Sequence, residues 1–173
     1  MAAPRILVVP GGTAINAVAL ANASIHKLVE LYEERQADPN HPAPHTIVFL
    51  RDPALVPPAT LRGSAATPEQ AFPEEDYPGL ADRITNDPHF LDGVDLVIAT
   101  SGSSVGKPRL VGLSTDALIA SAKATELALD GPGRWILALP MHHIAGAMVL
   151  LRAAVAETNP QVVDTTQGFD PAA

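Results

Sequence analysis

Two short apolar runs, Arg5 to Val9 (RILVV) and Thr46 to Leu50 (TIVFL), bracket a long stretch of helical periodicity, and this order constrains the fold most. The first run ends at Pro10-Gly11-Gly12, a turn signal. Between the runs, Ile15, Val18, Asn22, Ile25, Leu28, Val29 and Tyr32 recur at spacings of three and four, leaving Lys27, Glu30, Glu33, Glu34 and Arg35 largely elsewhere. Thr13 is expected to cap this helix and Asp38-Pro39-Asn40 to break it. Strand, helix, strand is the unit of a parallel sheet, because two parallel strands can be joined only by a crossover.

The rest of the chain repeats the theme. Val94 to Ala99 (VDLVIA) reads as a third strand, a helix capped by Ser114 or Thr115 runs to Leu129, and Gly131-Pro132-Gly133 stops it. Trp135 to Leu139 (WILAL) reads as a fourth strand, left through Pro140-Met141-His142-His143. An Ala/Leu-rich helix from Ile144 to Ala156 and a short fifth strand, Gln161 to Asp164, follow. Residues 51–90 carry prolines at 53, 57, 58, 68, 73, 78 and 88 with little periodicity, and are expected to form a partly ordered, irregular surface connection. The expectation is an α/β fold: one subdomain over 1–173, with a mostly parallel sheet and helices on both faces.

Composition removes several function classes. The net charge is −8 and no Lys/Arg cluster relieves it, which argues against a nucleic-acid partner. With no cysteine there is no disulfide, catalytic thiolate or Cys-ligated zinc. No apolar run is long enough for a membrane span, and the N-terminal one is too short for a secretion signal, so a cytoplasmic protein is expected.

Chemistry concentrates in Thr100-Ser101-Gly102-Ser103-Ser104-Val105-Gly106-Lys107-Pro108-Arg109. Glycines let a backbone approach an anion, amides and hydroxyls donate to phosphate oxygens, and Lys107 and Arg109 bring charge. A Walker A loop is excluded: Gly102 and Gly106 are three residues apart rather than four, Pro108 replaces the metal-binding hydroxyl, and no helix opens directly from the loop. The dinucleotide fingerprint and the G-x-S-x-G elbow are also missing. On the residues alone, a phosphate loop and an ordinary Gly/Ser turn remain side by side. His142 and His143 lack metal-ligand spacing, and the plain reading makes one a partly buried, hydrogen-bonded residue and the other solvated. They nevertheless follow a strand's carboxyl end, where α/β sheets place ligand crevices. Asp92 and Asp95 read as strand-boundary residues, Glu74-Glu75-Asp76 as a solvated turn, and Asn22 as a buried hydrogen-bonding side chain.

Taken together, two segments bring a resemblance. TSGSSVGKPR resembles the Ser/Thr/Gly-rich phosphate loop of the adenylate-forming acyl-CoA synthetases, and LALPMHHIAGAMVLLRA is similar to their next motif in the form found in o-succinylbenzoate-CoA ligases. The resemblance implies the N-terminal part of a two-step ligase of menaquinone biosynthesis. A 2-succinylbenzoate carboxylate attacks the α-phosphate of ATP, pyrophosphate leaves, and the thiol of CoA displaces AMP. It implies that Thr100, Ser101, Gly102, Ser103, Ser104, Gly106, Lys107 and Arg109 hold ATP phosphates, stabilising charge on the departing pyrophosphate. It also implies that His142, His143 and Gly146 line the acid's pocket. Val105 is an inserted residue, Arg109 stands where the family has Lys, and Leu110 where it has Gly. The resemblance further implies that the residues for adenine, ribose, Mg²⁺ and the catalytic Lys lie beyond this chain, so that the fragment alone is inactive; a homo-oligomer or complementation by a missing C-terminal portion is the expected association. Two other classes stay open: a noncatalytic binding fragment, and an amidase-type hydrolase with Ser103 or Ser104 as nucleophile.

Overall fold

The computed structural model describes residues 4–38, 45–55, 65–87, 89–100 and 109–168. The element order is β1 (Arg5–Pro10), α1 (Ile15–Ala37), β2 (Thr46–Arg51), α2 (Pro68–Ala71), α3 (Leu80–Asn86), β3 (Leu96–Thr100), β4 (Arg109–Leu113), α4 (Thr115–Ala128), β5 (Ile136–Leu137), α5 (Ile144–Val155) and β6 (Gln161–Val162). Four strands form one sheet in the order β1-β2-β3-β4, in which β1, β2 and β3 are parallel and β4 runs antiparallel to β3. A separate two-stranded parallel sheet joins β5 to β6.

The strand period of two sends alternate side chains to opposite faces, and helices cover both. Val9, Val48, Leu50, Leu96 and Ile98 face α1, α4 and α5, meeting Ile25, Leu28, Leu118 and Leu151 in the larger core. Ile6, Val8, Ile47, Phe49 and Val97 face the other way, toward Phe72, Tyr77 and Ile84. β2 is buried from Ile47 to Arg51 because it has a strand on each side and helices on both faces.

Three sequence expectations need correction. Ala14, not Thr13, is the N-cap of α1 and makes no side-chain cap bond, because the Thr13 hydroxyl is engaged elsewhere. Ile15 is 69% exposed, although its spacing put it on the apolar face. And a strand intervenes after the Gly/Ser segment: β4 pairs along β3 before α4 begins, satisfying backbone groups that an open edge would leave bare. Ser114 does cap α4, its hydroxyl accepting from the Ala117 N–H at 3.3 Å.

Within the proline-rich connection the described residues form one 3-10 turn, Pro53–Leu55, and two short α-helices that pack. Thr67 and Gln70 make a reciprocal capping box at α2. Phe72 stacks on Phe49 with ring centres 5.2 Å apart, and Tyr77 sits edge-on to both. Arg51, buried at the end of β2, ion-pairs with Asp76 and lies over the Tyr77 ring at 5.6 Å. This segment is therefore the second helical layer as well as a surface excursion.

Asp95, read from sequence as a strand-boundary residue, ties three elements together. Its buried carboxylate accepts the Thr115 N–H at the start of α4 at 2.7 Å, and lies 3.5 Å from His45 Nε2 and 3.8 Å from Arg35 of α1. His45 Nε2–H also donates to the Val94 carbonyl at 2.8 Å. Burial works against ionisation of Asp95, but His45, the Thr115 donors and Arg35 outweigh it and hold the carboxyl below its ordinary value. The Asp95 partner raises the His45 imidazolium above its ordinary value.

Candidate functional site at the carboxyl edge of the sheet

Because β1, β2 and β3 are parallel, their exits lie along one edge. Pro10 pairs with Arg51, and the β2–β3 register sets Leu50 against Ile98, so Thr100 emerges one residue beyond the level of Arg51. Two strand spacings separate β1 from β3, about 10 Å. Ligand crevices of open α/β sheets form along such an edge, where loops rather than side-chain-filled layers follow the strands.

Thr100 and Arg109 mark the two ends of the Gly/Ser segment. They are register partners in the β3–β4 pair, and the Thr100 hydroxyl donates to the Arg109 carbonyl at 3.2 Å. Both are exposed. Ser101, Gly102, Ser103, Ser104, Gly106 and Lys107 lie outside the described residues. The segment is thus the connection of an antiparallel hairpin whose ends sit at the carboxyl end of β3.

The histidine segment reaches the same edge from the other side. Met141 N–H donates to the Gly12 carbonyl at 3.2 Å, and Gly12 N–H donates to His142 Nδ1 at 3.1 Å. A Cβ on Gly11 would stand 2.5 Å from the His142 Cβ and 2.6 Å from its Nδ1, so only glycine lets the ring approach the β1 exit. Gly12 itself takes φ +90°, open to glycine and costly for any other residue. Burial holds the His142 imidazolium below its ordinary value, the neighbouring His143 adds to this, and Asp52 opposes it. Sequence reasoning registered Pro10-Gly11-Gly12 only as a turn; that two glycines follow a strand end was the signal of a close backbone approach.

His143 is the N-cap of α5 and is exposed, its ring centre 4.3 Å from that of His142. Gly146 is buried in the first turn of α5, where a Cβ would meet the Pro140 carbonyl oxygen at 2.4 Å. Its absent side chain is what brings the helix start against the strand exit. Thr13, 3% exposed, shares a hydroxyl–hydroxyl bond of 3.0 Å with Thr165 and accepts the Thr165 N–H, also at 3.0 Å, which anchors the chain after β6 to this edge. A cleft of about 470 Å³ opens beside these residues, lined by Pro10 to Ala14, Pro53 and Thr166 among others. Among the described residues, no group of three or more His, Asp or Glu is placed to hold a metal ion, and no helix is long and apolar enough to cross a membrane.

Fold and edge together define an α/β chain whose strand exits gather a Gly/Ser hairpin and a histidine-bearing loop. No family model matches the chain. Two curated proteins from two strains of Mycobacterium tuberculosis, each called a probable 2-succinylbenzoate–CoA ligase, are 46% identical to it over 79 residues, which is 46% of this chain and 20% of theirs. Over that stretch the chain is similar to proteins called 2-succinylbenzoate–CoA ligases. The match spans about one fifth of the length of those relatives. Among solved structures, o-succinylbenzoate CoA synthetase of Bacillus subtilis aligns in complex with the acyl-adenylate OSB-AMP at 17% identity and TM-score 0.47, covering 90% of this chain and 50% of that one. The same enzyme with ATP and magnesium aligns at 16% identity and TM-score 0.46, covering 97% and 55%.

Proposed function

We propose that this chain is the phosphate-holding and acid-binding part of an ATP-dependent ligase that adenylates 2-succinylbenzoate and passes it to CoA, and that it works in the cytoplasm. The observation that carries the reading is the 46% identity to 2-succinylbenzoate–CoA ligases, with the two motifs in order behind it. Thr100, Ser101, Gly102, Ser103, Ser104, Gly106, Lys107 and Arg109 would hold the β- and γ-phosphates; His142, His143 and Gly146 would line the acid's pocket. The placement of Thr100, Arg109 and His142 along one sheet edge is compatible with one ligand spanning both segments. Mg²⁺ would enter on ATP.

Calorimetric titration of the 173-residue chain with ATP, beside Lys107→Ala, tests the phosphate reading. ATP should bind the parent chain and bind the variant at least tenfold more weakly; equal affinity of the two would remove the loop from the argument. A second titration with 2-succinylbenzoate, beside His143→Ala, tests the acid reading. A noncatalytic interaction fragment is the other reading an observation favours, since Leu127, Leu129, Ile136 and Leu139 are each more than half exposed. Absence of both titrations would favour it.

A further inference from the structure

A histidine that binds an oxygen can do so in two ways: as a charged imidazolium or as a neutral ring with one N–H donor. Which of these His142 uses is written in its surroundings. The Gly12 N–H points at Nδ1 from 3.1 Å, and an N–H can donate only to a nitrogen that carries a lone pair. The remaining proton of the neutral ring must then sit on Nε2, which has no hydrogen-bond partner among the described residues, in a side chain that is only partly buried. Gly11 contributes by having no side chain, because a methyl there would overlap both Cβ and Nδ1 of His142.

We propose that Gly12 is a positioning residue: its main-chain N–H fixes His142 as the neutral Nε2–H tautomer, so that His142 meets its ligand as a hydrogen-bond donor and selects an oxygen acceptor, such as a carboxylate or carbonyl, over a group that can only donate, such as an ammonium. The choice of an acid rests on the ligase reading, whereas the tautomer does not. An imidazolium would put a proton on Nδ1 and lose the Gly12 bond, so the ring's own geometry resists charging. The titratable groups facing it are His143, which resists charging too, and Asp52, which favours it.

Long-range ¹⁵N–¹H correlation spectra of the 173-residue chain read the position of the proton directly, with His142→Gln used to assign the ring. The expected result is an unprotonated Nδ1 and a protonated Nε2 at neutral pH, with a titration midpoint below the ordinary histidine value. Gly11→Ala, which drives the ring off Gly12, should mix the two tautomers and move the midpoint upward. A ring protonated on Nδ1 at neutral pH, as the other tautomer or as imidazolium, overturns the proposal, and so does a Gly11→Ala spectrum identical to the parent's. Failure of 2-succinylbenzoate to bind in calorimetry would count against the ligase reading and would leave this spectrum unchanged.

Discussion

One methyl group distinguishes alanine from glycine at position 146, and the Pro140 carbonyl oxygen occupies the place it would take, 2.4 Å from it. The obstacle is backbone, which cannot swing away as a side-chain tip can. Gly146→Ala should therefore lower unfolding stability by about 1–3 kcal/mol through overpacking, read as a lower urea midpoint at unchanged slope. A second residue-scale outcome follows from Asp95 and His45. His45 has its folded pKa raised from 6.5, so its contribution is present in full below 6.5 and fades as pH rises through the folded value. Asp95 has its folded pKa lowered from 3.8, so its contribution is present above 3.8 and fades as pH falls through the folded value. Their joint contribution is greatest between the two, in mildly acid solution. Urea midpoints of the parent and of Asp95→Asn should differ most in that window, less at higher pH where Arg35 and Thr115 still hold the carboxylate, and least at low pH where Asp95 is protonated; a pH-independent difference would show that neither charge partner matters.

At the scale of elements, the aromatic trio decides what α2 and α3 are for. Phe72 is 2% exposed and stacks on Phe49 in the central strand of the parallel trio, so truncating it opens a cavity in the second core. Phe72→Ala should cost about 3–5 kcal/mol, measured by denaturant unfolding, whereas an inessential surface excursion would show under about 0.5 kcal/mol. This layer was hard to read because its helices are short and its apolar residues are scattered among prolines, giving neither period enough repeats to register. Strand β4 escaped for a different reason. Arg109, Val111 and Gly112 are exposed, so RLVGL shows no buried face, and only its pairing with β3 makes it a strand. The parallel strands and long helices were legible because each buries a continuous face, and Ser114 was legible because a cap needs its hydroxyl at one place. Of the edge, both the Gly/Ser segment and the histidine segment stand out in the sequence. It could not show that Gly11 and Gly12 serve His142, since residues 130 apart meet only in the fold.

The whole molecule carries a net charge of −8, and ATP is itself an anion, so any affinity for phosphate must be local. Two opposing effects can be separated by salt. The summed field of the chain repels an approaching polyanion over distances comparable to the screening length, about 10 Å at 0.1 M and 30 Å at 0.01 M ionic strength. Phosphate contacts from a loop lysine and from amides would act within hydrogen-bonding range and be screened less once water is excluded. If the Gly/Ser hairpin is a phosphate loop on an acidic body, the association rate for ATP should rise as salt is added from low to physiological ionic strength, because screening removes the repulsion first. Dissociation should change less. Lys107→Gln should weaken binding at every salt concentration while keeping the rise in association rate, since one charge in the loop leaves the body's field largely intact. Stopped-flow mixing with a fluorescent ATP analogue measures all three quantities. An association rate that falls steeply with salt would mean that a basic surface guides the nucleotide, which is not what a net charge of −8 favours.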